Sequence, residues 1–421
     1  MRRSLSQFDV TCIGLNAIVG SGIFLLPDDL FREMGGLSPL AFLFCAIGLL
    51  PIALCYAEAA STVDRTGGPY LYASEAFGPR IGFAVGWMCF ANSVFSFAAV
   101  ASAAAAYFGR LVPFFAGTWS VKLVAIVVIS VFAALNYRGA RPGAIAVDLF
   151  TIGKFAVLVI LVGALVPKTS FAHVDFSLPH GMSGVGAATF MAFFAAQGFE
   201  VAPVQAGETH SATRAVPIAV VTSMLAASVL YLLVQSTLVG AFADLAKVSD
   251  TPLADAAVAV APGLGLVVLA GGLISTLGFV SGSALGTPRY MYAAALDGHL
   301  PSSLAAVHTR FATPHLAVVA TAGLAIALVI PFDYRSLIGM SNVAVATQYL
   351  GTCLAVLKLR KAGPAVGYRI PGGPVVPLIG TAASLWVFTE ATLVELTWAS
   401  ISLAVGAAAV LLHRRRQARV L

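Results

Sequence analysis

Three stretches of this 421-residue sequence put hydrogen-bonding or ionisable groups inside long apolar runs: NAIVGSGIFLLP at 16–27, DLFTIGKFAVLVILVG at 148–163 and FFAAQGFEVAP at 193–203. In the first, Gly20 and Gly22 flank Ser21; in the last, Gly198 and Pro203 flank Glu200. Glycine and proline at such spacing interrupt a helix, and an interrupted helix exposes carbonyls at one broken end and N–H groups at the other. Those ends carry about half a unit of negative and positive charge respectively. The N–H groups of Ser21, Gly22 and Ile23, with the Ser21 hydroxyl, suit a carboxylate. The carbonyls of Ala17, Ile18 and Gly20, joined by those of Phe194 and Ala195, suit an ammonium. The pair of breaks is complementary to an α-amino acid zwitterion.

Lys154 lies about ten residues from either end of its apolar run. A lysine at bilayer depth costs roughly 2.5–3.5 kcal/mol on insertion scales, so it is expected to face the protein interior. There it can donate to the carbonyls freed by the first break and to Ser275, Thr276, Ser281 or Ser283. A resident ammonium substitutes for the cation that unwound carbonyls coordinate in sodium-coupled carriers. The expectation is sodium independence, with Lys154 either a fixed charge or a proton carrier. Glu200 is read as holding the second break by accepting backbone N–H bonds, with proton transfer as the alternative. Asn92, Gln197, Ser341 and Asn342 are candidates for recognising a substrate side chain, and Phe194 for a lid over it.

The elements that must position these groups follow from composition. The chain is 59% hydrophobic and 10% charged, with a mean hydropathy of +0.93. That excludes a soluble globular domain and indicates a polytopic membrane protein. About 20 apolar residues cross a bilayer, and twelve such runs are predicted: 9–34, 39–62, 81–108, 120–137, 144–166, 184–206, 213–241, 262–295, 314–331, 335–359, 374–391 and 394–413. The broken runs are the first and the sixth. Each opens a block of five, and five is odd, so the second block enters the membrane from the opposite side. That is the pattern of an inverted-topology repeat, about 9–167 and 184–360, followed by two further helices at about 374–413. Residues 1–421 thus form a single integral membrane domain.

With the N-terminus inside, 17 of the 24 Lys and Arg fall in cytoplasmic connections and 6 outside, which predicts both termini in the cytoplasm. The net charge of +6 is accounted for by this topology signal and gives no reason to expect nucleic acid. No cleavable leader is apparent. The five cysteines (Cys12, Cys45, Cys55, Cys89, Cys353) fall within predicted helices and read as apolar packing residues; no metal or cofactor is expected.

Several motifs recur together. "GSGIF", "GGPYLYASEAFGPRIGFAVGW" (67–87), the "GFE" break followed by "TRAVPIAV", "DGHLP", "ATPH" and "YRIPGGP" run in order along nearly the whole chain. In this the sequence resembles the amino acid, polyamine and organocation transporter superfamily. The resemblance implies a LeuT-type fold, an all-α membrane protein with twelve transmembrane helices in a 5+5 inverted repeat plus two C-terminal helices. It also implies amino acid exchange or proton-linked transport by alternating access. On the matching positions, Gly20, Ser21 and Gly22 correspond to a carboxylate-binding loop. Ile18 and Phe194 correspond to carbonyls that receive the amino group, Phe194 also to a gating aromatic, and Lys154 to the lysine of sodium-independent members. Gln197 departs from the pattern, because many neutral amino acid carriers have glycine there.

The expectation is a multi-pass carrier of the bacterial inner membrane for a small-molecule substrate, a neutral amino acid, as monomer or homodimer. The alternatives kept are a cationic amino acid or polyamine carrier using Glu200, and a membrane sensor or channel. A membrane enzyme is disfavoured, since no Ser/His or His/Glu constellation stands at membrane depth.

Overall fold

A computed structural model describes residues 5–62, 67–138, 141–172, 174–242, 245, 251–362 and 368–417, and every regular element in them is helical. The first apolar run is α1 (Gln7–Ile18), α2 (Gly22–Leu25) and α3 (Pro27–Met34), separated at the glycines and at Pro27. A capping box starts α1: Ser6 Oγ accepts from the Asp9 N–H at 3.2 Å and Asp9 Oδ2 from the Ser6 N–H at 2.7 Å. The next elements are α4 (Pro39–Thr62), α5 (Pro69–Phe77), α6 (Pro79–Leu111), α7 (Thr118–Tyr137) and α8 (Arg141–Leu165). The expected run at 39–62 is α4 to the residue.

The sixth run is α9 (Gly181–Ala196), which stops and is continued by a 3₁₀ helix at Phe199–Glu208. After it come α10 (Ala212–Ala241), α11 (Pro252–Val260), α12 (Pro262–Gly286) and α13 (Pro288–Leu296). The single run expected at 262–295 is therefore two helices, and Pro288, with no N–H to give, starts the second. The chain ends with α14 (His315–Val329), α15 (Tyr334–Ala362), α16 (Val375–Glu390) and α17 (Leu393–Gln417).

Among the described residues, ten helical stretches have the length and apolarity to cross a membrane, and α14 and α16 are apolar but shorter. The connections are richer than expected. The stretch 63–80 contains α5, and 242–261 contains α11, whose Asp255 pairs with Arg110 of α6 at 2.7 Å.

Two packing groups position the breaks. Helix α10 lies along α4 and α1, α4 touches α9, and α1 also meets the 3₁₀ segment. In the second, α15 and α12 pack on α6 and α8 packs on α12, and the two groups meet where α8 touches α1 and α15 touches α4. The first group carries both breaks; the second carries Lys154, Ser275, Asn92 and Ser341.

Candidate functional site

The two breaks touch. A Cβ on Gly22, the first residue of α2, would lie 2.5 Å from the Ala195 methyl and 2.6 Å from its Cα. A Cβ on Gly198 would lie 2.5–2.6 Å from the Ala17 carbonyl group and the Ile18 nitrogen, and Gly198 has φ of +129°. Glycine is required there twice, by conformation and by close approach. Gly20 faces the Phe279 ring, at 3.1 Å from the position a Cβ would take.

The carbonyls freed by the first break are held by side chains from three helices. Lys154 Nζ, fully buried on α8, donates to the Asn16 carbonyl at 3.0 Å and the Val19 carbonyl at 2.5 Å. Ser275 Oγ of α12 donates to the Gly20 carbonyl at 2.9 Å and Val19 at 3.2 Å. The Ile18 carbonyl accepts from the Gly20 N–H at 2.9 Å and from the Tyr231 hydroxyl of α10 at 3.0 Å. Lys154 thus reaches the unwound carbonyls as anticipated. Ser275 converges on the same carbonyl instead of bonding the lysine, and Thr276 turns back onto its own helix, to Gly272 at 2.9 Å.

At the amide end, Ser21, Gly22 and Ile23 open α2, so their N–H groups have no acceptor within that helix. The Ser21 hydroxyl meets the Tyr334 hydroxyl at 2.9 Å, and the Tyr334 ring stands edge-on to Phe194, centroids 6.3 Å apart. Phe194 itself is buried in the same wall. Just beyond, Arg335 grips Asp29 of α3 with contacts at 2.9–3.2 Å, while Arg32 also reaches Asp29 at 2.8 Å.

The second break is held from within. Glu200 Oε2 accepts from the Gly198 N–H at 2.8 Å and from the Tyr349 hydroxyl of α15 at 2.8 Å. Tyr349 in turn stacks on Phe199 at 5.3 Å. Gln197, where α9 ends, donates from Nε2 to Ser341 Oγ at 3.1 Å; Ser341 donates to Asn92 Oδ1 at 2.7 Å and meets Ser96 Oγ at 2.8 Å. Asn342 is committed elsewhere, to the Phe190 carbonyl at 2.8 Å.

The structure thus gathers Ile18, Gly20, Ser21, Gly22, Ile23, Phe194, Ala195 and Gln197 at the breaks, with Lys154 and Glu200 behind them and Asn92 and Ser341 alongside. Tyr231, Tyr334, Tyr349, Ser96 and Gln235 were not anticipated. Gln235 donates to the Pro27 carbonyl and to Ser38 Oγ, both at 3.0 Å, securing the start of α3. Its signal was a carboxamide deep in an apolar helix, which is costly unless partnered. Farther along, Arg360 pairs with Glu58 of α4, Nε to Oε1 at 2.6 Å. A cavity lined by Tyr70, Phe83, Trp87, Phe90, Val204 and Arg289 lies between α5, α6 and α13, and its wall at Phe90 is two residues from Asn92.

The family described as amino acid permease matches residues 5–405. Among curated proteins, the sequence is 26% identical to a branched-chain amino acid permease of Bacillus subtilis, covering 100% of this chain and 95% of the relative. It is 25% identical to a methylthioribose transporter of the same organism, covering 99% and 94%. It is 30% identical to human cationic amino acid transporter 4, over 86% of this chain and 61% of that protein.

Proposed function

This chain belongs to the amino acid permease family and is an amino acid transporter, and from that premise we propose that it carries neutral amino acids without sodium through the paired breaks. The observation that carries the sodium independence is the Lys154 ammonium on the Asn16 and Val19 carbonyls. Unwound carbonyls are the groups that bind a cation in carriers with broken helices. Here a covalently tethered cation occupies two of them.

The substrate carboxylate is taken by the N–H groups of Ser21, Gly22 and Ile23 and by the Ser21 hydroxyl once Tyr334 releases it. The amino group goes to the carbonyl end of the breaks. The preference for neutral substrates is supported by Glu200, whose Oε2 accepts the two hydrogen bonds that hold the second break and is thereby tied to the protein's own groups.

All twelve apolar helices cross the membrane, α14 and α16 included, as a 5+5 inverted repeat with α16 and α17 added. The termini are cytoplasmic and the membrane is the bacterial inner membrane. Alternating access is assigned to rocking of α1, α4, α9 and α10 against α6, α8, α12 and α15, a division that the closer packing within each group supports. The Arg335–Asp29 pair and the Tyr334–Ser21 contact are the elements that close the path on their side.

The test is uptake of a labelled amino acid panel into liposomes holding the purified protein, with and without sodium and a pH gradient. Equal flux with and without sodium is expected. Strict sodium dependence would refute the role given to Lys154, and lysine or arginine outcompeting every neutral amino acid would refute the substrate class.

A further inference from the structure

The polar cluster beside the second break is saturated on one side and unsatisfied on the other. Ser341 Oγ has three neighbours: it donates to Asn92 Oδ1 at 2.7 Å, accepts from Gln197 Nε2 at 3.1 Å and meets Ser96 Oγ at 2.8 Å. It has nothing left to offer. Gln197 is 94% buried by its relative exposure of 6%, yet its Oε1 has no hydrogen-bond partner. Asn92, equally buried, commits Oδ1 to the Ser341 hydroxyl, so that Nδ2 is the hydrogen-bonding group it has to offer a ligand.

A buried carboxamide oxygen without a donor is costly, and such groups in folded proteins call for an explanation. Gln197 is also the residue at which α9 ends, two positions after the Ala195 that touches Gly22. The unmet acceptor therefore stands in the break itself. An aliphatic side chain lodged there would leave Oε1 unpaired. An ammonium or guanidinium would supply donors to Oε1 but no acceptor for Asn92 Nδ2, and Glu200 Oε2 is already held by the Gly198 N–H and the Tyr349 hydroxyl.

We propose that Gln197 and Asn92 form a side-chain subsite for a polar, uncharged group that both accepts and donates, a hydroxyl or a carboxamide. This rests on the reading of the paired breaks as the substrate site. Gln197 Oε1 accepts from the substrate's O–H or N–H, and Asn92 Nδ2 donates to its oxygen. Ser341 and Ser96 are positioning residues that fix the two amides. Sites built to hydrogen-bond a substrate group reject the isostere that lacks it far more strongly than apolar pockets separate substrates by size.

The discriminating experiment compares near-isosteric pairs in liposomes preloaded with mixed amino acids: labelled threonine against valine, and asparagine against leucine. The expected result is that threonine or asparagine is taken up at least about tenfold more efficiently than its apolar partner. Gln197→Met and, as a second variant, Asn92→Leu should bring that ratio towards one, whatever their absolute rates. Valine and leucine transported as well as threonine and asparagine by the unaltered protein would overturn the proposal, as would a ratio that survives both substitutions. If no amino acid is transported, the site reading beneath the proposal fails and the proposal with it.

Discussion

The ammonium of Lys154 and the carbonyl of Val19 are 2.5 Å apart, across the point where the first apolar run stops being a helix. That contact and its neighbour on Asn16 replace the intrahelical bonds lost at the break. Exchanging Lys154 for methionine, similar in length but without donors, leaves the Asn16 carbonyl unpaired, at a cost of about 1–3 kcal/mol. The expected outcome is a lower thermal unfolding midpoint and at least about a tenfold loss of uptake. A variant with full flux and unchanged stability would remove Lys154 from the site.

At Gly22 the constraint is steric. The methyl of Gly22→Ala would sit 2.6 Å from the Ala195 Cα as well as 2.5 Å from its Cβ, so a backbone has to move. Overpacking of this kind costs about 1–3 kcal/mol. Uptake should fall steeply, and adding Ala195→Gly should fail to restore it, because the Cα remains. Paired uptake and melting measurements on the single and double variants decide this.

Glu200 separates two roles. If it holds the break, Glu200→Gln keeps an oxygen for the Gly198 N–H and the Tyr349 hydroxyl and should retain uptake within about threefold, whereas Glu200→Leu strands both donors at about 1–3 kcal/mol each. Both variants losing transport while remaining equally stable would instead assign a proton to the carboxyl. Uptake rates read together with unfolding midpoints distinguish the cases.

Tyr334→Phe preserves the edge-on contact with Phe194 and removes only the bond to Ser21. A neutral hydrogen bond contributes about 0.5–1.5 kcal/mol, so the expected change is a few-fold shift towards the conformation open at Asp29 and Arg335. A cysteine introduced near Ser21 should then react faster with a membrane-impermeant reagent added from that side; an unchanged labelling rate would count against Tyr334 as a closing element.

The positions of the long helices were legible because a bilayer imposes length and apolarity together; the run at 39–62 became Pro39–Thr62. The breaks were legible from Gly20, Gly22, Gly198 and Pro203, since backbone chemistry travels with residue type. Helices α5 and α11 were not. With nine residues each they are too short to register as crossings, and they are fixed by what they pack against. The tyrosines were hidden for a related reason. In an apolar helix Tyr231 and Tyr349 look like any packing aromatic, and only the tertiary arrangement aims one hydroxyl at the Ile18 carbonyl and the other at Glu200. Ser275 was named from its depth, but its choice of carbonyl over lysine depended on how α12 faces α1.

Because the positive charge at the first break is bonded to the chain, it makes no net crossing. On the proposed sodium-independent cycle, a zwitterion carried without a proton transfers no current, and the membrane voltage neither drives nor opposes it. Accumulation on that cycle then comes from the gradient of whatever makes the return trip, whereas a proton travelling with the zwitterion would make uptake respond to voltage.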